Sequence, residues 1–193
     1  MSKSNPETRE RLVATAADML RRRGLSATSI RELAKAARAP LGSTYHYFPE
    51  GKKQVVTEAV GYAGEKVSSI LKGALEEGPV TGVEAFLRLW LGVIVDTDFN
   101  AGCPIISVAL VEPSSNEVEA AQVEAAKVLD LWEALISDSL QKHGVEAVRA
   151  NRLATTIIAS TEGALAISRA KRDAAPFERV AQQLRELLES ELA

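Results

Sequence analysis

ATSIRELAKAARAPLGSTYHYFPEGKK, residues 27–53, holds two short helical patterns separated by a breaker. Ser29-Ile30-Arg31-Glu32 fits a capping box, in which the serine oxygen takes an orphaned backbone N–H and the glutamate follows three positions on. The helix opened there runs through Leu33 to about Ala37. Ala39-Pro40 ends it, because the residue before a proline disfavours the helical basin. A second short helix is expected from about Leu41 to Phe48, with Pro49-Glu50-Gly51 as the turn that closes it. GSTYHYF (residues 42–48) gathers Tyr45, Tyr47 and Phe48 around His46 in a chain that is only 5% aromatic. Thr44 and Phe48 lie one helical turn apart and should face the local core. The remaining positions are left for an outside partner. A tyrosine offers a hydroxyl on a rigid ring, Ser43 can donate to a phosphate or a base, and Gly42 lets the helix backbone approach a partner closely.

Upstream, Asn5-Pro6-Glu7 is a helix start, with a capping side chain, a first-turn proline and an acid. Leu12, Val13, Ala16, Ala17 and Leu20 make its apolar stripe, and Gly24 ends it. Residues 1–53 carry 11 Lys/Arg against 5 Asp/Glu, whereas the rest of the chain carries 12 against 21. A basic head on an acidic body points to contact with a polyanion through the head.

Downstream, every long segment has helical periodicity and none sustains a period of two. A long helix is expected from Lys52 towards Leu75, followed by Gly82–Asp98, a short helix between breakers in 100–113, and a helix capped by Ser114 or Ser115 and ended at His143-Gly144. Two more follow, Glu146–Lys171 and Pro176–Leu192. The fold class is therefore all-α, with a three-helix head, residues 1–53, and a helical body, residues 54–193. No apolar run reaches the roughly 20 residues that span a bilayer, so no membrane partner is expected. The polar N-terminus and the single cysteine, Cys103, lead to the expectation of a cytoplasmic protein.

Two short helices and a tight turn in a basic head are the layout of a helix-turn-helix, whose second helix enters the major groove of double-stranded DNA. The stretch ATSIRELAKAARAPLGSTYHYFPEGKKQVVTEAV resembles the DNA-binding head of TetR-type transcriptional regulators. Ala39-Pro40, Gly42-Ser43, Tyr45-His46-Tyr47-Phe48-Pro49 and Gly51-Lys52, with Cys103-Pro104 in GCPII, resemble the branch of the LmrA and YxaF repressors. The resemblance implies a DNA operator as partner, read by Thr28, Ser29, Arg38, Leu41, Gly42, Ser43, Tyr45, His46, Tyr47 and Lys52. It also implies a homodimer and an unidentified small-molecule effector. Three positions depart from the pattern. Arg38 stands where the family has a turn glycine, Leu41 where the branch often has a basic residue, and Thr44 where an apolar packing residue is common. A left-handed Arg38 costs about 1 kcal/mol.

In the body, Phe86, Trp90, Phe99, Cys103, Ile106, Leu110, Trp132 and Ile157 line either a ligand pocket between helices or plain core. Ala159, Gly163, Ala166 and Ala170 form a narrow small-residue stripe, and Leu184 and Leu188 sit on a broader apolar face. The resemblance assigns both to a four-helix dimer interface; packing within one chain is the alternative. An enzyme is not expected. A di-iron bundle needs two Glu-x-x-His pairs, and neither His46 nor His143 follows a glutamate by three. There is no phosphate-binding glycine loop, and no metal or cofactor is expected.

Overall fold

The computed structural model describes residues 6–193. Among them are nine α-helices and no strand. They are α1 (Pro6–Arg23), α2 (Ile30–Ala36), α3 (Leu41–Tyr47), α4 (Lys52–Leu75), α5 (Pro79–Asp96), α6 (Pro104–Ala109), α7 (Asn116–Lys142), α8 (Ala147–Lys171) and α9 (Ala175–Glu191). The capping role expected of Asn5 lies outside the described residues. Two starts come earlier than the sequence patterns place them. α5 begins at Pro79 and α9 at Ala175, with a proline in the first turn of each. Proline lacks an N–H that this turn would leave unpaired anyway, and its fixed φ suits a helix start. Pro79, expected as a breaker ahead of Gly82, is thus the first residue of α5, and α9 starts one residue before the expected Pro176.

The chain divides into two compact units, Met1–Glu65 with Pro104–Val128, and Lys66–Cys103 with Leu129–Ala193. The division is not a single cut along the chain, because α6 packs against α1 and so joins the first unit. The core of that unit is the stripe of α1 (Leu12, Ala16, Leu20) with Leu33, Phe48, Val56, Ala59 and Val60, all fully buried. Gly64 of α4 lets α7 come close, since a Cβ there would sit 2.4 Å from a methyl of Val128.

The second unit is built around Phe86, Ile94, Trp132, Ile136, Leu140, Ile157 and Phe177, with α9 packed on α5 and α8. Gly82 is needed there, because a Cβ would fall 2.2 Å from Leu75. α8 starts on Glu146, whose carboxylate accepts from the Val148 and Arg149 amides at 2.9 and 3.0 Å. Those two bonds hold its carboxyl below the usual carboxylate range.

Candidate nucleic-acid interface

α2 is capped as the sequence predicts, with the Glu32 amide donating to Ser29 Oγ at 3.2 Å. Its end is a Schellman turn. The Ala39 amide donates to the Ala34 carbonyl at 2.9 Å and the Arg38 amide to Lys35 at 3.2 Å. That turn needs a left-handed residue, and Arg38 supplies it at φ 51°. The strain expected of a non-glycine residue here is thus present, at about 1 kcal/mol.

Pro40 and Leu41 then start α3. Thr44 anchors the helix from inside, fully buried, with its hydroxyl donating to the Pro40 carbonyl at 3.1 Å. Phe48 is fully buried too. The Arg9 guanidinium lies 5.7 Å from the centre of its ring and pairs with Glu58 of α4 at 2.5 Å. One arginine therefore ties α1, the end of α3 and α4 together.

With Thr44 and Phe48 inward, the outward face of α3 is fixed. Leu41, Gly42, Ser43, Tyr45 and His46 are exposed, Tyr45 at 54%, and Tyr47 is half-buried beside the His46 ring at 6.0 Å. A Cβ on Gly42 would meet nothing within 4 Å, so packing does not require the glycine. Lys52 is half-buried at the start of α4, and Arg38 is exposed in the turn. The structure adds Arg31 and Lys35, exposed one turn apart on α2, which the sequence motif alone does not single out. Ser29 spends its oxygen on the cap but keeps a hydroxyl proton to donate.

Thr28 must be corrected. It is fully buried, and its hydroxyl donates to the Gly24 carbonyl at 3.0 Å. It braces the approach to α2 and has no side-chain atom to offer a partner.

In the second unit, Phe86, Trp90 and Trp132 form an edge-to-face cluster with ring centres 5.5–6.1 Å apart. Trp132 Nε1 donates to Ser68 Oγ at 3.0 Å. Cys103 and Ile157 are buried in the same unit. Phe99 is half-buried and follows Asp98 in a left-handed pair, at φ 57° and 50°. Ile106 and Leu110 belong instead to the first unit. Leu110 is 81% exposed, so it lines no cavity and leaves the expected set. Its apolar character suggested burial, but it stands just past the end of α6, where no helix partner covers it.

Sequence reasoning missed Glu162, which burial raises to a pKa of about 7, a hydrogen bond with Cys103 acting in the opposite sense. The missed signal is its place on α8, four residues after Ile158 and three before Leu165, both buried.

Along the other side of α8, Ala159, Gly163, Ala166 and Ala170 are exposed. A Cβ on Gly163 would meet nothing within 4 Å. Leu184 and Leu188 differ from expectation. Both are buried within the single chain, where α9 packs on α5 and α8. Their side chains are committed to the protomer core and are not free to cover a second copy.

A capped helix, a Schellman turn and a short helix with a polar, aromatic outer face define a helix-turn-helix DNA-binding protein. Comparison with known proteins narrows the class. Residues 12–59 match the bacterial regulatory proteins of the tetR family, and residues 79–183 match the C-terminal domain of LmrA/YxaF-like transcriptional regulators. The HTH-type regulator Rv0196 of Mycobacterium tuberculosis is 38% identical over 187 residues, 95% of each chain. YxaF of Bacillus subtilis is 29% identical over 183 residues, 94% of this chain and 95% of its own. A TetR regulator from Chloroflexus aurantiacus superimposes with a TM-score of 0.76 at 28% identity, over 99% of this chain and 98% of that one. A second, from Legionella pneumophila, has the same fold with a TM-score of 0.85 at 22% identity, over 97% and 99%. The chain belongs to the TetR family of DNA-binding transcriptional regulators, with a C-terminal domain of the LmrA/YxaF-like type. This is a family of regulators and not of enzymes. No helix among the described residues is long and apolar enough to cross a membrane.

Proposed function

We propose that the protein is a homodimeric repressor released from its operator by a small, largely apolar molecule. The observation that carries the DNA half of this reading is the division of α3. Thr44 and Phe48 are buried and fix the helix, while Leu41, Gly42, Ser43, Tyr45 and His46 face outward from a basic head. In this reading α3 lies in the major groove. Leu41 meets a thymine methyl, and the tyrosines and Ser43 take base edges or phosphates. Arg31, Lys35, Arg38 and Lys52 meet the backbone. Residues 1–53 act as the head and 54–193 as the body.

The aromatic cluster around Trp90 and Trp132 supports a ligand site in the body, and the uncovered stripe on α8 supports a homodimer. Two heads must reach half-sites about 34–36 Å apart, or a multiple of that. α4 is one continuous helix from Lys52 to Leu75, so a tilt of it carries a change in the body to α3. The cytoplasm is the compartment this role requires.

Selecting bound fragments from the source genome with purified protein tests the reading. A near-palindromic site is expected. Tyr45→Ala should weaken binding to it about tenfold, and Lys52→Ala should lower the salt slope by about one. Equal affinity for the selected site and for random duplex at physiological salt refutes specific recognition.

A further inference from the structure

A buried carboxylate is costly unless it is paired, because an ionised oxygen gives up its water and needs a donor in return. Glu162 of α8 is 8% exposed. The Cys103 thiol satisfies part of its carboxylate, but Oε1 has no hydrogen-bond partner. α5, which packs against α8 in the same unit, brings a second such atom, the buried Trp90 Nε1. An indole N–H and a carboxylate oxygen would bond one another if they met. They do not, so each is left for a third group. Trp90 also belongs to the cluster with Phe86 and Trp132, which is buried in the same unit as Glu162.

The chemistry of that third group follows from the acceptor. A hydroxyl would give Glu162 a hydrogen bond and nothing else. An ammonium gives the hydrogen bond and the opposite charge, which strengthens the bond and neutralises the buried carboxylate. Beside aromatic rings an ammonium gains cation–π attraction as well. An anion would be repelled. We propose that Glu162 is the specificity-determining group of an effector site in the second unit, reading the ammonium of a small aromatic amine whose ring packs with Phe86, Trp90 and Trp132.

This rests on the ligand-responsive reading and narrows its effector from apolar to amphipathic and cationic. The titratable group acting on Glu162 is the Cys103 thiol; Arg169, further along α8, lies with its guanidinium beside Gly102.

Calorimetry on the full chain at pH 8 tests the proposal with three probes that share one ring and differ in head group: tryptamine, tryptophol and indole-3-acetate. Tryptamine should bind about tenfold more tightly than tryptophol, and indole-3-acetate most weakly. Glu162→Gln keeps the size and removes the charge, so it should abolish the preference for the amine. Its thermal melt shows whether the variant is folded. In the wild type, tryptamine affinity should fall as the pH drops from 8 to 6 and the carboxylate takes up a proton, whereas the Gln variant should show no such fall. A role in packing alone would not produce that difference.

Equal binding of amine and alcohol, an amine preference that survives in Glu162→Gln, or no tryptamine binding at millimolar concentration overturns the proposal. Operator binding is measured in parallel to separate the two claims. If tryptamine binds through Glu162 and operator affinity stays constant, the site stands and the ligand-responsive reading falls. If tryptophol or indole-3-acetate releases the operator and tryptamine does not, the ligand-responsive reading stands and this proposal falls.

Discussion

Replacing Glu162 by Gln should change how the stability of this protein depends on pH. Burial raises the Glu162 carboxyl from its ordinary 4.5 to about 7, and the hydrogen bond with Cys103 offsets only part of that rise. The folded state therefore holds the proton more tightly than the unfolded chain. The sign follows from linkage: stability from this group is complete below pH 4.5 and is lost as the pH climbs towards 7. At 1.36 kcal/mol per tenfold change in proton affinity, the loss reaches about 3 kcal/mol. That is a large share of the 5–15 kcal/mol typical of a folded domain.

Glutamine has no charge to bury, so the variant should be the more stable protein at pH 8, and its advantage should shrink as the pH falls to 5. Glu146 and Glu191 act in the opposite sense. Their carboxyls are held below the usual range, by the Val148 and Arg149 amides and by the Arg149 side chain respectively. They contribute alike to both proteins and cancel in the difference. Urea unfolding of variant and wild type at pH 5, 6, 7 and 8, at constant ionic strength, measures that difference. A variant-minus-wild-type stability that does not change with pH would refute the reasoning.

Gly42→Ala should leave the fold intact and add up to about 1 kcal/mol of stability, since its Cβ meets nothing and alanine favours helix; operator affinity should nonetheless fall about tenfold, as a gel-shift titration would show. Arg38→Gly should relieve about 1 kcal/mol of left-handed strain, partly offset by glycine's entropy, which a thermal melt detects. The same variant should lower the salt slope of DNA binding by about one if the guanidinium meets a phosphate. Gly163→Glu places a charge on the uncovered stripe of α8 without touching the protomer core, so light scattering should find monomers that bind operator poorly; a stable dimer from this variant would move the interface elsewhere.

Local backbone chemistry was legible in the sequence because its causes are local. The Ser29 cap and the inward turn of Thr44 and Phe48 each depend on a few neighbouring residues, and each stands where its pattern places it, while the left-handed Arg38 stands where the family resemblance puts a turn glycine. Thr28 was misread for the converse reason. A threonine before a capping box has a hydroxyl to offer in sequence, and only the path of the chain back to Gly24 shows that it is already used.

The longer helices carry a different limit, which α8 and α9 make plain. Hydrophobic periodicity identifies a face but not what covers it. Leu184 and Leu188 read as an interface and are core, because α5 and α8 already cover that side of α9. Ala159 and Gly163 read as a stripe for close packing, and among the described residues Ala159 is exposed and a Cβ on Gly163 would meet nothing within 4 Å. The side of α8 committed to the protomer is the one that carries Glu162, an ionisable residue between two apolar turns. A pattern scored only for apolar residues passes over such a position, since a single glutamate weakens the stripe by one residue. The physical cost runs the other way: burying that one carboxylate opposes folding by more than an added methylene would favour it. A polar interruption on the buried face of a helix therefore says more about function than the apolar residues that flank it.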